Sequence, residues 1–453
     1  MMTLLQAAEL ARGALSGPDG DILRVVTDSR EAGTGDLFVA LKGERFDAHD
    51  FVAEVTAKGA AALVRADFEL PGASLIRVDD TRLALGRLAS GWAQRLPALR
   101  IGVTGSNGKT TVKEMLAAIL RQYAGADAVL ATAGNFNNDI GLPLTLLRLT
   151  PAHRYAVLEM GMNHHGELSY LTGLARPRIA LVNNAMRAHF GYFGSTEEVA
   201  RAKAEIFEGL DADGVAVLNA DDANLALFRR AADGHRQIAF GLGAAAEVRA
   251  ADIELDALSS RFTLRCANGE QRIELPAPGE HNVRNALAAA SLALAADVPL
   301  ADIAAGLAAF GGAKGRLQLK QSPRGLSVID DSYNANPDSM KAGIDVLTRL
   351  PAPRCFVMGD IGELGDSADA LHAEVGEYAR ACGIDLLLTL GEVSRHAAAA
   401  CGARGKHFDS IDELYEFLDR QLPSGASVLV KGSRFMRMER VVEHLMQQFR
   451  EEQ

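Results

Sequence analysis

Cysteine is scarce in this chain. Four residues, Cys266, Cys355, Cys382 and Cys401, are scattered through 453 without CxxC or CxH spacing. That scatter excludes a disulfide framework and a cysteine-based zinc site, so buried thiols in a reducing compartment are expected. Positive charge is also short: 47 Lys and Arg stand against 58 Asp and Glu, a net charge of −11. No broad basic surface exists for a nucleic-acid backbone or an anionic membrane, and any anionic ligand must be met by a local cluster. Long apolar runs are missing too, since the alanine-rich stretch 286–296 falls short of the roughly 20 residues a membrane span needs. Residues 1–12 carry Glu9 inside their apolar part and have no basic start, unlike a secretory leader. Low-complexity tracts and internal repeats are absent. A soluble, cytoplasmic protein is expected.

What is present is an ordinary globular balance, 48% hydrophobic and 23% charged, in a chain too long for one core. Short apolar runs alternate with helical stretches three times over. The first alternation has runs at 22–27, 37–41, 61–64 and 75–78 and a helix at 82–96. The second has runs at 100–104, 155–160 and 179–183 and a helix at 283–296. The third has runs at 326–329, 354–358, 386–390 and 427–430, with helices at 339–347, 368–381, 411–418 and 436–448. Between the last two lies Gly311-Gly312-Ala313-Lys314-Gly315-Arg316, which reads as a hinge. The expectation is an α/β protein of three domains, 1–96, 97–311 and 312–453, built on parallel sheets covered on both faces.

The most informative segment is Ile101-Gly102-Val103-Thr104-Gly105-Ser106-Asn107-Gly108-Lys109-Thr110-Thr111. An apolar strand ends in a glycine-rich turn that opens a helix. Backbone N–H groups, the Lys109 ammonium and the Thr110 hydroxyl suit phosphates and a magnesium ion. The spacing departs from the usual P-loop, because Val103 stands where the first glycine would be. A P-loop needs a carboxylate at the end of a neighbouring strand, and Glu159 closes Tyr155-Ala156-Val157-Leu158-Glu159; a strand-end Glu can equally be solvated, as can His164 and His165 just after it. The guanine-reading Asn-Lys-x-Asp motif is missing. On a helix over 197–210, Lys203 shares a face with Val199, Ile206, Phe207 and Leu210, while Glu198, Arg201, Glu205 and Glu208 line the other. A lysine there is either buried and driven toward the neutral amine, or sits at the stripe's edge and snorkels to water. Asn282 and Asn285 open the helix after Gly279, where Asn282 can cap. Near the end, Val428-Leu429-Val430-Lys431-Gly432-Ser433-Arg434 runs a strand into a helix that Ser433 can cap, aiming Lys431 or Arg434 at an anion.

Taken together, Gly105 to Thr111, Glu159, Ala188-His189 before a glycine-rich turn, Ala202-Lys203-Ala204-Glu205-Ile206-Phe207, Gly279-Glu280-His281-Asn282 with Asn285, and Gly315-Arg316 resemble the Mur ligases, in order and over nearly the whole chain. The resemblance implies a three-domain, ATP-dependent amino-acid or peptide ligase of bacterial cell-wall synthesis: a small UDP-binding α/β domain, a P-loop ATPase domain and a Rossmann-like C-terminal domain. Three stretches, 134–145, Asp330-Asp331-Ser332-Tyr333-Asn334-Ala335-Asn336-Pro337 and 358–365, are similar to members that add D-alanyl-D-alanine to UDP-N-acetylmuramoyl-tripeptide. The Asp-Asn-Pro-Arg signature of the diaminopimelate-adding members is missing. Another Mur-type ligase, a folylpolyglutamate-synthetase-like ligase and a P-loop regulatory ATPase are the competing readings.

By this resemblance Lys109, Glu159, His189 and Lys203 are catalytic. Thr110 and Glu159 hold one magnesium ion, and His189 with a carbamylated Lys203, formed from CO2, holds a second. Gly105, Ser106, Asn107, Gly108, Lys109, Thr110, Thr111, Asn282, Asn285, Arg316 and Asp331 bind ATP, Arg316 reaching the phosphates only when the third domain swings in. Ser29, Arg30, Lys42, Asn135, Asn137 and Asn138 are expected at the UDP-substrate, and Asn334, Asn336, Lys431 and Ser433 at the dipeptide. A monomer is expected, as no self-complementary apolar face is legible.

Overall fold

The structure, a computed structural model, describes residues 1–187 and 190–447, without the side chains of 190 and 191. Ala188 and His189, the latter an expected metal ligand, therefore lie outside the described residues. The N-terminal unit is a five-stranded sheet in the order Ala14–Ser16, Leu75–Val78, Ala61–Arg65, Asp36–Val39, Arg24–Val26, parallel except at its first pair. The apolar run expected as one strand over 22–27 is divided. Asp21–Ile22 turns away to pair with Met2–Thr3, and Leu23 between the two pieces is exposed. Asp80 caps the helix Thr81–Ala93 by accepting from the N–H groups of Arg82 and Leu83.

The central sheet has nine strands. Leu99–Thr104 lies between Ile179–Val182 and Tyr155–Glu159, all parallel. Its neighbours read as unbroken apolar runs because both faces are covered: Val157 packs with the helices Lys109–Ala124 and Glu280–Ala295, while Ala156 and Leu158 join the core on the other side. The expectation of a purely parallel sheet does not hold. After Val248–Leu255 the strands Ser260–Cys266 and Gly269–Leu275 run antiparallel. Their buried and exposed residues alternate, as suits a sheet edge with one wet face.

The C-terminal sheet has the order Gln318–Gln321, Ser327–Asp331, Ser427–Lys431, Arg354–Gly359, Leu386–Leu390, Gly405–Phe408, parallel after its first, antiparallel pair. Asn336 caps the helix Pro337–Leu347, with Pro337 at its first position, where a missing N–H costs nothing. The helix expected over 436–448 is broken. A single turn at Arg434–Met436 gives way to Arg437, at φ +50°, before the helix Glu439–Leu445 begins.

The two domain seams differ in kind. Leu4, Leu85 and Leu88 of the first domain share one core with Leu142, Leu168 and Leu171 of the second, and Arg82 grips Asp139 across it. The third domain has its own cores, which Ala257 of the second domain touches at one edge, and most of the contacts described between the two are polar. Asn336 Nδ2 donates to Asn107 Oδ1 at 2.6 Å. The Arg187 guanidinium donates to Asp338 Oδ1 at 2.6 Å and to both Glu374 oxygens at 3.0 Å, and Lys341 donates to Glu374 at 2.5 Å. These partners hold the Glu374 carboxyl down at about 2. Partly exposed ion pairs contribute little each and weaken with salt. Arg187→Ala should therefore raise the radius of gyration of the free protein in small-angle scattering. High salt should do the same to the wild type and have less effect on the variant.

Candidate functional site

The phosphate loop leaves the carboxyl end of Leu99–Thr104 through Gly105 at φ +154° and Gly108 at φ +79°. A Cβ at Gly108 would meet Asn285 Oδ1 at 2.2 Å and Asn183 Nδ2 at 2.6 Å, so only glycine allows this approach. The N–H groups of Ser106 and Asn107 do not turn inward as expected. They donate to the carbonyl and side-chain oxygens of Asn184 at 2.9 and 2.8 Å, which brace the shortened loop from outside. The anion-facing donors come instead from the first turn of Lys109–Ala124, which no side chain caps.

Charge converges there. Lys109 Nζ folds back onto the Gly105 carbonyl at 2.5 Å and the Ser106 carbonyl at 3.3 Å. Desolvation lowers its pKa to about 8, with Glu159 opposing and Arg316 reinforcing the shift. Glu159, almost fully buried, accepts from Thr110 Oγ1 and from Asn137 Nδ2, both at 2.8 Å. Asn137, expected at the UDP-substrate, thus stands beside the carboxylate. Lys203 is 1% exposed near the end of Thr196–Ala204, a helix that Ser195 caps. Burial first, then the Lys109 charge, holds its ammonium well below the usual lysine range. The buried alternative is the one realised. His164 and His165 lie at the surface beside Glu167, and beside Glu198 and Glu205, respectively.

On the far side of the loop, Asn285 accepts from Asn183 at 3.1 Å and donates to Asn282 at 3.2 Å. Asn282 does not cap its helix: Gly279 holds that position, and the Asn282 amide donates to the Pro278 carbonyl at 2.8 Å. The third domain supplies the opposing wall. Asp331 accepts from the Leu317 N–H at 3.2 Å and from Lys431 Nζ at 2.5 Å, while burial raises its pKa against Lys431. Lys431 also donates to the Asn334 carbonyl at 3.0 Å, so its ammonium is committed within the wall rather than offered to a ligand. Ser433 caps no helix; its Oγ accepts from the Gly362 N–H at 2.8 Å.

Between these walls is a cavity of about 820 Å³, lined by Ser106, Asn107, Gly108, Lys109, Thr111, Asn282 and Asn285 on one side and Arg316, Asp331, Asn334, Asn336, Lys431, Ser433 and Arg434 on the other. The structure does not bring Ser29, Arg30, Lys42, Asn135, Asn137 or Asn138 to it. Arg30 pairs with Asp28 at 2.5 Å, and Asn138 caps the turn at Gly141 by accepting its N–H at 2.8 Å. Two site residues escaped sequence reasoning. His281 lines the cavity as a neutral imidazole, its pKa lowered to about 4 by burial and by Lys431 and Arg284. Lys113, fully buried, donates to the Thr132 carbonyl at 2.7 Å, and the Thr132 hydroxyl in turn takes the Glu159 N–H at 3.0 Å. The signal for Lys113 was a lysine among Val112, Met115 and Leu116, one helical turn past Lys109. The lining carries six cationic side chains beside five carboxylates. Arg187, Arg284 and Lys431 are each paired with one of those acids, while Lys109 and Arg316, on opposite walls, suit a phosphate-bearing anion that touches both domains.

Family models match in chain order: Mur ligase family, catalytic domain at 21–93; Mur ligase middle domain at 103–293; and Mur ligase, glutamate ligase domain at 315–434. The chain is 44% identical over 98% of its length to the UDP-N-acetylmuramoyl-tripeptide--D-alanyl-D-alanine ligase of Escherichia coli K12, of which it covers 98%. The chain belongs to the Mur ligase family. Its fold follows a crystal structure of MurF from Acinetobacter baumannii, with a TM-score of 0.92, 40% identity and 99% of each chain covered. A MurF ligase from Thermotoga maritima in complex with ADP matches with a TM-score of 0.81 and 27% identity, over 93% of this chain and 97% of that one. No helix among the described residues of this Mur ligase is long and apolar enough to cross a membrane.

Two expectations follow for the loop. Gly108→Ala should abolish nucleotide binding, measured calorimetrically, because both the clash with Asn285 and the positive φ oppose it. Nucleotide affinity should be flat below about pH 8 and weaken above it: the ligand needs the protonated ammonium of Lys109, and free protein has lost that proton at higher pH. Titration calorimetry in two buffers of different ionisation enthalpy should then detect proton uptake on binding above pH 8, and none well below it.

Proposed function

We propose that this chain joins D-alanyl-D-alanine to UDP-N-acetylmuramoyl-tripeptide at the expense of ATP, forming the UDP-N-acetylmuramoyl-pentapeptide precursor of bacterial peptidoglycan. The observation that carries the reading is a phosphate loop and a second cationic wall facing each other across one cavity, in a chain so close to ligases of that name. The γ-phosphoryl group of ATP passes to the terminal carboxylate of the tripeptide, giving an acyl phosphate and ADP. The free amine of the dipeptide attacks the acyl carbon, phosphate leaves, and an amide remains. Both reacting carboxylate and triphosphate are anionic, so Lys109 and the helix N-terminus offset their repulsion. Arg316 joins them from the third domain, Asn282 and Asn285 hold the adenine, and Asp331 takes the ribose hydroxyls. Closure of the body 312–453 on 97–311 keeps water from the acyl phosphate. The body 1–96, with Ser29, Arg30 and Lys42, and the loop carrying Asn135 to Asn138 hold the UDP-substrate.

The donor set fits a hard cation. Thr110 and Glu159 present oxygen atoms 2.8 Å apart beside the phosphate loop, where magnesium would neutralise phosphate charge. Lys203, driven toward its neutral form by burial, is suited to react with CO2, and the resulting carbamate would serve a second ion with His189. With Lys431 committed to Asp331, the cation left to meet the carboxylate of the dipeptide is Arg434, beside Ser433. The ligase works as a monomer in this reading, since each part of the site comes from one chain.

Phosphate release should require both the UDP-tripeptide and the dipeptide; release with ATP alone at the same rate would favour a regulatory ATPase. Lys203→Ala should abolish ligation while circular dichroism stays unchanged, and short carboxylic acids should restore part of it. Lys203→Arg should fail as well, because guanidinium cannot be carbamylated. Near-normal turnover of Lys203→Ala would remove the second-ion role. Arg434→Ala should raise the KM for D-alanyl-D-alanine about tenfold or more and leave that for ATP near its wild-type value.

A further inference from the structure

The hinge delivers Arg316 onto an aromatic ring. Gly315, at φ +66°, accepts the Tyr333 N–H at its carbonyl at 3.1 Å, and a Cβ there would lie 3.2 Å from the Tyr333 Cβ. That close approach sets the Arg316 guanidinium over the Tyr333 ring, 4.5 Å from its centroid. Arg434, which follows the adjacent parallel strand Ser427–Lys431, lies 5.8 Å from the same centroid and is also tied to Glu439 at 3.1 Å. Both arginines line the cavity, whereas Tyr333 is half-buried behind them and does not. Two guanidinium groups brought to one place repel; the π face they share, together with Glu439 on Arg434, offsets that cost, and the ring helps to fix their planes. Both arginines line the same cavity as Lys109, and the charge of Arg316 is felt there.

We propose that Tyr333 is a positioning residue for the ligation: its ring carries Arg316 and Arg434 as a unit, so that one movement of the third domain delivers the phosphate cation and the dipeptide cation together. The inference rests on the roles assigned above to Arg316 and Arg434. Only the ring face is required, and the hydroxyl is dispensable.

The experiment is steady-state kinetics of the full-length enzyme with ATP, UDP-tripeptide and D-alanyl-D-alanine. Tyr333→Leu should lower kcat about tenfold or more and raise the KM for the dipeptide, with the KM for the UDP-tripeptide unchanged. Tyr333→Phe and Tyr333→Trp should keep at least about a third of the wild-type kcat. In an Arg316→Ala background, Tyr333→Leu should cost no further kcat beyond about twofold, because the effect runs through that arginine. Full additivity, a Tyr333→Phe as impaired as Tyr333→Leu, or an unimpaired Tyr333→Leu would each overturn the proposal while leaving the function standing. An Arg316→Ala enzyme of normal turnover would remove the role of Arg316 and the proposal with it. Should Tyr333→Leu fail to fold by circular dichroism, a series of fluorinated phenylalanines at 333 keeps the shape and weakens the ring face stepwise; kcat should fall along the series, and a flat series would overturn the proposal.

Discussion

Two lysines placed within electrostatic reach of each other, away from water, set the terms for everything around them. Lys109 and Lys203 each depend on desolvation for a lowered pKa, and the charge of Lys109 lowers that of Lys203 further. Such a pair is unfavourable in the free protein, and the fold tolerates it by giving Lys109 two loop carbonyls and by favouring the neutral form of Lys203 through burial. The third domain places another cation, Arg316, within electrostatic reach of Lys109. In the proposed closure, approach without an anion would gather like charges, and approach around a triphosphate and a carboxylate would relieve them. The ligand supplies the difference in free energy between open and closed states through its own charge, as a population shift requires.

That logic needs one seam to be permanent and the other reversible. An apolar seam is stabilised at about 25 cal/mol per Å² removed from water and opens only at that cost. The first and second domains share a core of this kind, running from Leu4 and Leu88 to Leu168. Polar contacts across the second seam, Asn107 to Asn336 and Arg187 to Asp338 and Glu374, exchange water for partners at small net gain. A domain attached in this way can leave to release product and return in register, because the bidentate guanidinium contact fixes orientation as well as distance.

The parts legible in the sequence were those decided locally. Unbroken apolar runs announced the parallel strands at 101–104, 155–158 and 179–182, and the glycine pattern announced the loop that follows the first. The stripe around Lys203 left burial and snorkelling open, and the packed helix decides for burial. What stayed hidden depends on contacts far apart in the chain. Asn184 takes the N–H groups of Ser106 and Asn107, and the Ser433 hydroxyl takes the N–H of Gly362, not one at a helix start. Asn282 looked like a cap because caps are the local use of asparagine, yet its partners are Pro278 and Asn285. The antiparallel edge over 260–275 was missed because alternating exposure in a solvated strand is a weak pattern beside a buried parallel one.

The buried pair of Asp331 and Lys431 has its place in the same economy of charge. A lone ammonium at position 431 would add to the cations already crowding the cavity, and a lone carboxylate at 331 would cancel part of their field. Set 2.5 Å apart on adjacent parallel strands, in register by the pairing of Asp331 with Lys431, they neutralise each other within the wall. Removing either partner would leave an uncompensated buried charge, a larger loss than the pair's own net stabilisation. With that pair closed on itself, and with Arg187 and Arg284 paired to Asp338 and Asp221, the cations left toward a ligand are Lys109, Arg316 and Arg434, the last also bound to Glu439; they stand where the transferred phosphoryl group and the incoming dipeptide are proposed to sit. The Tyr333 ring lies against two of these three, and an aromatic face, unlike the Glu439 carboxylate that also meets Arg434, orients a cation without discharging it.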